Sequence, residues 1–421
     1  MKRSWTRRAA MIGGGAIALG GVGLFASRKP DRGGAHDAYF TGLSAALREA
    51  GIAHPVLVID QTQLAHNMAV TRAALSPAKL PLRVVVKSLP APALIEAVMK
   101  GMATDRLMVF NGAMLADMAR LHPDADMLLG KPLPAQQLAQ FLDTAGVDAA
   151  SKVQWLVDTP ERIAQYAAIA RARNARLRLS FEIDVGLHRG GFPDAPALAS
   201  AVRSARAEPA FEIAGLMGYD PHVPKMSDPD TAYARSQDQY RAAIATLREV
   251  AALDPAALTL NGAGSPTFVR HARGTVASEV SVGSAFVKPA DFDLPDLARH
   301  VPAALIATPV IKEGQMRLPG AEWLSGPMGF INPNTSRAFF IYGGHWLATP
   351  VSPPGLEYSD LFGRSSNQEM LTGSHRVTLK PDDFVFLRPT QSEAVLLQFG
   401  DIALFDGKAI TGYWPTLNVS A

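Results

Sequence analysis

The stretch "LRVVVKSLP" (residues 82–90) decides how this chain is read. Three consecutive valines suit a strand buried on both faces, as strands of parallel sheets are, and the run ends on a lysine. An ammonium group is costly beside so apolar a run unless it is paired or put to use. Lys87 is therefore the first candidate functional residue.

Reading outward, the pattern repeats. "PVLVID" (55–60) precedes the helical period of "QTQLAHNMAVTRAAL", and "LRVVVKS" precedes "APALIEAVMKG". "DRLMVFN" (105–111), "DADMLLGK" (124–131), "VQWLVD" (153–158), "LRLSFEID" (177–184), "FEIAGLMGYD" (211–220), "LTLNGAG" (258–264) and "SEVSVGSAF" (278–286) continue the rhythm. Strands alternating with helices predict a parallel sheet with crossover helices. Eight such units close a barrel, so one of these nine strands is expected elsewhere. After about residue 299 the texture changes. "RAFFIYGG" (337–344), "HRVTLK" (375–380), "DFVFLRP" (383–389), "AVLLQFGDIALFDG" (394–407) and "AITGYWP" (409–415) read as short antiparallel strands. The predicted fold is α/β, a TIM (β/α)8 barrel with a C-terminal all-β domain.

Composition narrows the function classes. The chain has 421 residues, 48% hydrophobic, and no cysteine, which excludes disulfides, thiolate metal sites and cysteine nucleophiles. The net charge of +3 is concentrated at the start, where residues 1–34 carry Lys2, Arg3, Arg7, Arg8, Arg28, Lys29 and Arg32 against Asp31 alone. The remainder is slightly acidic, with no basic patch for nucleic acid, and suits a small-molecule ligand. The adjacent Arg7 and Arg8 before a weakly apolar Gly/Ala stretch resemble a twin-arginine export signal, so the chain is expected outside the cytoplasm, with membrane contact only through an uncleaved signal. The periplasm is the expected location.

In a barrel the residues that close each strand carry the chemistry. Lys87, Glu182, Asp184, His188, Arg189, Tyr219 and His222 stand at such ends. "NGAGSPT" and "SVGSAF" add glycines and hydroxyls late in the barrel, where backbone N–H groups form a nest for phosphate. A lysine, an arginine and a phosphate nest together suit pyridoxal phosphate, whose aldehyde bonds a lysine amine.

The order "HPVLVIDQTQLAHNM", "RVVVKS", "EIDVGLHRGG", "GYDPH", "NGAGSPTF", "SVGSAFV" and "GYWP" resembles the fold-type III pyridoxal-phosphate enzymes, in the D-threonine aldolase and D-serine dehydratase branch with an alanine-racemase-like barrel. The resemblance covers residues 40–417. It implies that Lys87 carries the cofactor, that Arg83 and Arg189 bind it, and that Tyr219 and His222 fall on the family's YxGH motif, with His222 catalytic. It implies phosphate contacts from Gly262, Gly264, Ser265, Thr267, Gly283 and Ser284. The domains expected are a signal (1–34), an N-terminal strand packing with the β domain (35–61), the barrel (62–298) and the β domain (299–421). A homodimer is implied, its site borrowing from the partner's β domain, so that Glu393 would act in trans.

One departure bears on the reaction. The family's metal-binding P-x-H-x-C appears here as "PTQSE", which leaves Glu393 as the candidate ligand for a divalent metal beside Gln391, a poor zinc ligand. The expected function is a pyridoxal-phosphate-dependent lyase acting on a small D-3-hydroxy amino acid. A metal-independent amino-acid racemase and an exported, non-catalytic binder of cofactor or amino acid stand as alternatives.

Overall fold

The computed structural model describes residues 28–419, and the export-signal reading falls, up to residue 27, outside the described residues. The chain forms two compact units. One comprises residues 57–304, 389–406 and 411–421; the other comprises residues up to 56, 305–388 and 407–410.

The first unit is built on a closed parallel barrel of eight strands. They are β2 (Leu82–Val85), β3 (Arg106–Val109), β4 (Asp126–Leu129), β5 (Val153–Val157), β6 (Leu177–Glu182), β7 (Phe211–Met217), β8 (Thr259–Gly262) and β9 (Glu279–Val282). Closure is made where Leu82, Arg83 and Val84 pair with Val280, Ser281 and Val282. The crossover helices start where their sequences provide caps: Asn111, Thr159 and Asp194 each accept a backbone N–H three residues on, satisfying a donor the helix leaves free. The ninth strand, β1 (Val56–Asp60), lies outside the barrel and pairs in parallel with β16 (Ile402–Phe405), whose other neighbour is β17 (Ile410–Trp414).

Apolar residues dominate where strands meet helices, but the barrel interior holds a polar layer. Arg83, with no exposed surface, donates to Glu279, to Asp126 and to the carbonyl oxygens of Leu107 and Asp126. Asn261 donates to Glu279 and Ser281, and Gln154 donates to Asp126 and Thr259. Burial of these groups is tolerable because each is met by a partner.

The second unit carries a mostly antiparallel sheet. β10 (Ala304–Gln315) pairs with β11 (Arg337–Tyr342) and with β15 (Phe384–Pro389); β11 pairs with β14 (Gln368–Gly373), which also pairs with β13 (Glu357–Tyr358), and β12 (Ala348–Ser352) pairs with β15. Two expected strands are absent. Residues 375–380 form no strand, and the alternation of Val377 and Leu379 is met instead by burial of both side chains. Residues 394–400 begin in the short helix Glu393–Leu396 and end in a turn at Gly400 (φ +74°), so only Ile402–Phe405 of that run is a strand, and its partner is parallel. Four apolar residues in succession, without alternation, fit a helical turn as readily as a strand.

Candidate active site

The ladder of β2 ends at Val85, and Val86–Ser88 form a single 3-10 turn. Lys87 thus rises above the barrel's carboxyl end rather than closing the strand itself. Its Nζ lies 2.6 Å from Oε1 of Glu393 and 4.7 Å from the centroid of the Phe110 ring. A cavity of about 110 Å³ opens around it, walled by Val85, Phe110, Arg189, Tyr219, Gly264 and Glu393 among others. A second cavity of about 220 Å³ shares Tyr219, Pro266, Ser284, Phe292 and Glu393 with the first and continues to Lys225, Asp291 and Gln391.

Two glycines make room for these walls. A Cβ on Gly130 would lie 2.3 Å from the Phe110 ring, and one on Gly264 would lie 2.4 Å from Cε2 of Tyr219. Contacts that short do not occur, so Phe110 and Tyr219 hold their places only because these two residues lack side chains. Tyr219 also meets Arg189, whose guanidinium carbon stands 5.2 Å from the ring centroid. Burial first, with Asp220 and Glu393 adding to it against the pull of Arg189, pushes the Tyr219 phenol up to about 12.

Arg189 is delivered by a loop tied at Asp184. That carboxylate accepts the N–H groups of Gly186 and His188 and the His188 ring nitrogen Nδ1 at 2.7 Å. Burial works against ionisation of Asp184, but the His188 and Gly186 bonds outweigh it and hold the carboxyl below the usual range. At the end of β6, Glu182 goes the other way: burial, then the charge of Asp158, push it up to about 7 despite Arg189.

The serine and glycine loops line the same cavity. Ser265 Oγ accepts the N–H groups of Gly283 and Ala285, locking the two loops together, and both Ser265 and Ser284 line the cavity. Among the described residues no acceptor meets the backbone N–H of Ser265 or of Ser284. Thr267 serves the loop from behind, donating to Asp220 at 2.6 Å and accepting from the Gly264 N–H; Asp220 in turn meets His271 at 3.0 Å.

The sequence-predicted residues therefore divide. Lys87, Arg189, Tyr219, Gly264, Ser265, Gly283, Ser284 and Glu393 come together around one cavity. Gly262, Thr267, Arg83 and His222 are not in its wall. Gly262 packs against Ala277 and His271, and Arg83 is committed to the polar layer below. His222 lies beside Gly186, with Nδ1 buried and meeting no partner among the described residues. Glu393 meets Lys87 of its own chain. Sequence reading passed over Phe110 and Ser88, although Phe110 closes its strand and the rule of carboxyl ends points to it.

These residues fit pyridoxal phosphate: an amine within a cavity, an arginine and two loops whose unmet N–H groups suit phosphate oxygens. They do not fit a divalent metal. Among the described residues no three His, Cys, Asp or Glu side chains gather at metal-binding spacing, and the carboxylate beside Lys87 is held by its ammonium group.

The sequence model of the family described as "Alanine racemase, N-terminal domain" matches residues 59–290. An alanine racemase of Acidithiobacillus ferrooxidans is 30% identical over 187 residues, 42% of this chain, and the match spans only 46% of that protein's own length. The D-threonine aldolase structure from Filomicrobium marinum superposes with a TM-score of 0.69 at 19% identity, over 87% of this chain and 95% of that one. The D-threo-3-hydroxyaspartate dehydratase from Delftia sp. HT23 gives 0.66 at 16% identity, over 86% and 97%. At these identities the structural likeness establishes the fold.

Proposed function

The chain belongs to the alanine racemase N-terminal domain family, and on that premise we propose that it is a pyridoxal-phosphate-dependent lyase of a small D-3-hydroxy amino acid. The observation that carries the reading is the pairing of Lys87 with Glu393 at 2.6 Å in the wall of one cavity that the two serine and glycine loops also line. The D configuration and the 3-hydroxyl are taken from the D-threonine aldolase and the D-threo-3-hydroxyaspartate dehydratase, whose fold this chain shares over most of its length.

Lys87 would hold the cofactor's aldehyde carbon, the loops at Gly264 and Gly283 its phosphate, and Arg189 its polar edge. When bound, the cofactor stabilises an electron pair left on the substrate's Cα. The Lys87 amine would move a proton at the substrate's Cα, and Phe110 and Tyr219 would wall that place.

The racemase reading has its own support in the alanine racemase relative. Racemisation needs an acid or base on each face of Cα. Glu393 is paired with Lys87, so among the described groups of the cavity wall Tyr219 is the candidate for the second face. With its phenol at about 12, Tyr219 is ionised in roughly one molecule in ten thousand or fewer at neutral pH, which makes it a poor base.

The test is the visible absorption spectrum of wild type and Lys87→Ala after incubation with pyridoxal phosphate, before and after D-threonine, D-serine and D-alanine. The expected result is a band that is absent from Lys87→Ala and shifts with a 3-hydroxy D-amino acid, with an aldehyde or oxo acid released. Interconversion of D- and L-alanine, abolished by Tyr219→Phe, would establish the racemase instead. A protein that stays colourless would sink both readings.

A further inference from the structure

Three buried hydroxyls fix the contact between Glu393 and Lys87. Ser284 Oγ donates to Ser88 Oγ at 3.0 Å and shares a second 3.0 Å bond with Ser392 Oγ. Ser88 follows Lys87 and Ser392 precedes Glu393, so one hydroxyl chain anchored at Ser284 ties the lysine's turn to the glutamate's helix. All three serines are at most 6% exposed. The side chains they position are accessible by comparison, 27% for Lys87 and 37% for Glu393. Glu393 also stands in the wall common to both cavities, so a substrate with Cα near Lys87 and its side chain directed into the second cavity passes the Glu393 carboxylate at its β-carbon.

A cation is poorly served here. Gln391 and Ser392 are neutral, Asp291 in the second cavity's wall completes no group of three ligating side chains among the described residues, and the lysine ammonium within hydrogen-bond distance of Glu393 repels a divalent ion. A carboxylate beside an ammonium is, however, a complete proton-exchange pair.

We propose that Glu393 is the acid–base residue for the substrate's 3-hydroxyl and that, paired with Lys87, it carries out carbon–carbon cleavage without a metal ion. The inference rests on the lyase reading above. In the step, Glu393 takes the 3-hydroxyl proton, and the oxygen's electron pair closes a carbonyl at Cβ. The Cα–Cβ bond breaks with its pair left at Cα, and the Lys87 ammonium supplies the proton that completes glycine. An aldehyde leaves. The neutral Lys87 amine then recovers the proton from the Glu393 carboxylic acid across their contact, which restores both charges and consumes no further reactant. Ser88, Ser284 and Ser392 are positioning residues in this scheme.

The experiment compares wild type, Glu393→Gln, Glu393→Asp and Ser392→Ala, each loaded with pyridoxal phosphate and dialysed against a chelator. It reads cofactor affinity and the D-threonine-induced spectral shift by absorption, metal content by mass spectrometry, and acetaldehyde release. Wild type is expected to hold no stoichiometric metal and to lose less than about twofold of its rate on chelation. Glu393→Gln is expected to keep cofactor affinity and the spectral shift while aldehyde release falls about 10²-fold or more, the range for losing a general base. Glu393→Asp should recover part of that rate, and Ser392→Ala should lower kcat with substrate binding unchanged. A stoichiometric divalent ion lost in Glu393→Gln, chelator-sensitive cleavage, or a Glu393→Gln rate equal to wild type would overturn the inference and leave the lyase reading standing. Release of an oxo acid without aldehyde would overturn this inference alone, and a wild type that binds D-threonine but releases neither would overturn the lyase reading and this inference with it.

Discussion

Inside the barrel, Nε of Arg83 and Oε1 of Glu279 meet at 2.6 Å with no part of either side chain exposed to solvent. Removing Arg83 leaves the buried Glu279 carboxylate with Arg106, 2.7 Å away, and the Asn261 amide, one charged partner short, at a cost of about 1.5–3 kcal/mol. Arg83→Met is expected to lose stability in that range in chemical denaturation. Because Arg83 lies outside the cavity wall, the folded fraction should bind pyridoxal phosphate as wild type does. Normal stability with lost cofactor affinity would mean that the guanidinium serves the cofactor.

The reading of Arg83 shows where sequence stops. A resemblance assigns the arginine four residues before the lysine to the cofactor, but a strand turns alternate residues to the same side and stacks them along its length. Val85 lines the cavity, while Arg83 pairs with Asp126 and Glu279 in a separate polar layer. The nine strands were legible because each is a compact apolar run with a polar end. The Ser88, Ser284 and Ser392 chain was not, since its members lie in three distant segments and serine carries no periodic signal. Glu393 was visible as a residue, but its partner was not. Only the fold shows that it meets Lys87.

Glu182 and Glu279 respond to pH in opposite directions. Burial and the charge of Asp158 raise the Glu182 carboxyl to about 7, so the folded state favours the protonated form. Its contribution to stability is fully present below the ordinary glutamate value and is lost as pH rises through about 7. Burial also works against ionised Glu279, but pairing with Arg83 and the Asn261 bond outweigh it and hold that carboxyl low. Its contribution is present above the ordinary value and is lost as pH falls through the lowered one. Glu182→Gln, which imitates the protonated form, is expected to match wild type near pH 5 and to exceed it at pH 8 by roughly 1–3 kcal/mol. Urea denaturation at the two pH values checks this. A constant difference between them would mean that Glu182 does not titrate there.

Two glycine-to-alanine substitutions should have opposite signs. At Gly264 the added methyl would stand 2.4 Å from Tyr219, a ring that also meets the Arg189 guanidinium. Either the ring or the Gly264 loop must move, and Ser265, which locks that loop to Gly283 and Ala285, moves with it. Gly264→Ala is expected to cost about 1–3 kcal/mol, as overpacking does, and to weaken retention of pyridoxal phosphate. At Gly42, within the helix Ala38–Glu49, an added Cβ meets nothing within 4 Å. Gly42→Ala should stabilise by roughly 0.5–1 kcal/mol, because alanine loses less backbone freedom in a helix, and should leave cofactor binding untouched. Denaturation midpoints and the visible absorption of the loaded protein separate the two cases. If Gly264→Ala kept both stability and cofactor, Tyr219 would have to be free to swing away, and its place in the cavity wall would not depend on the missing side chain.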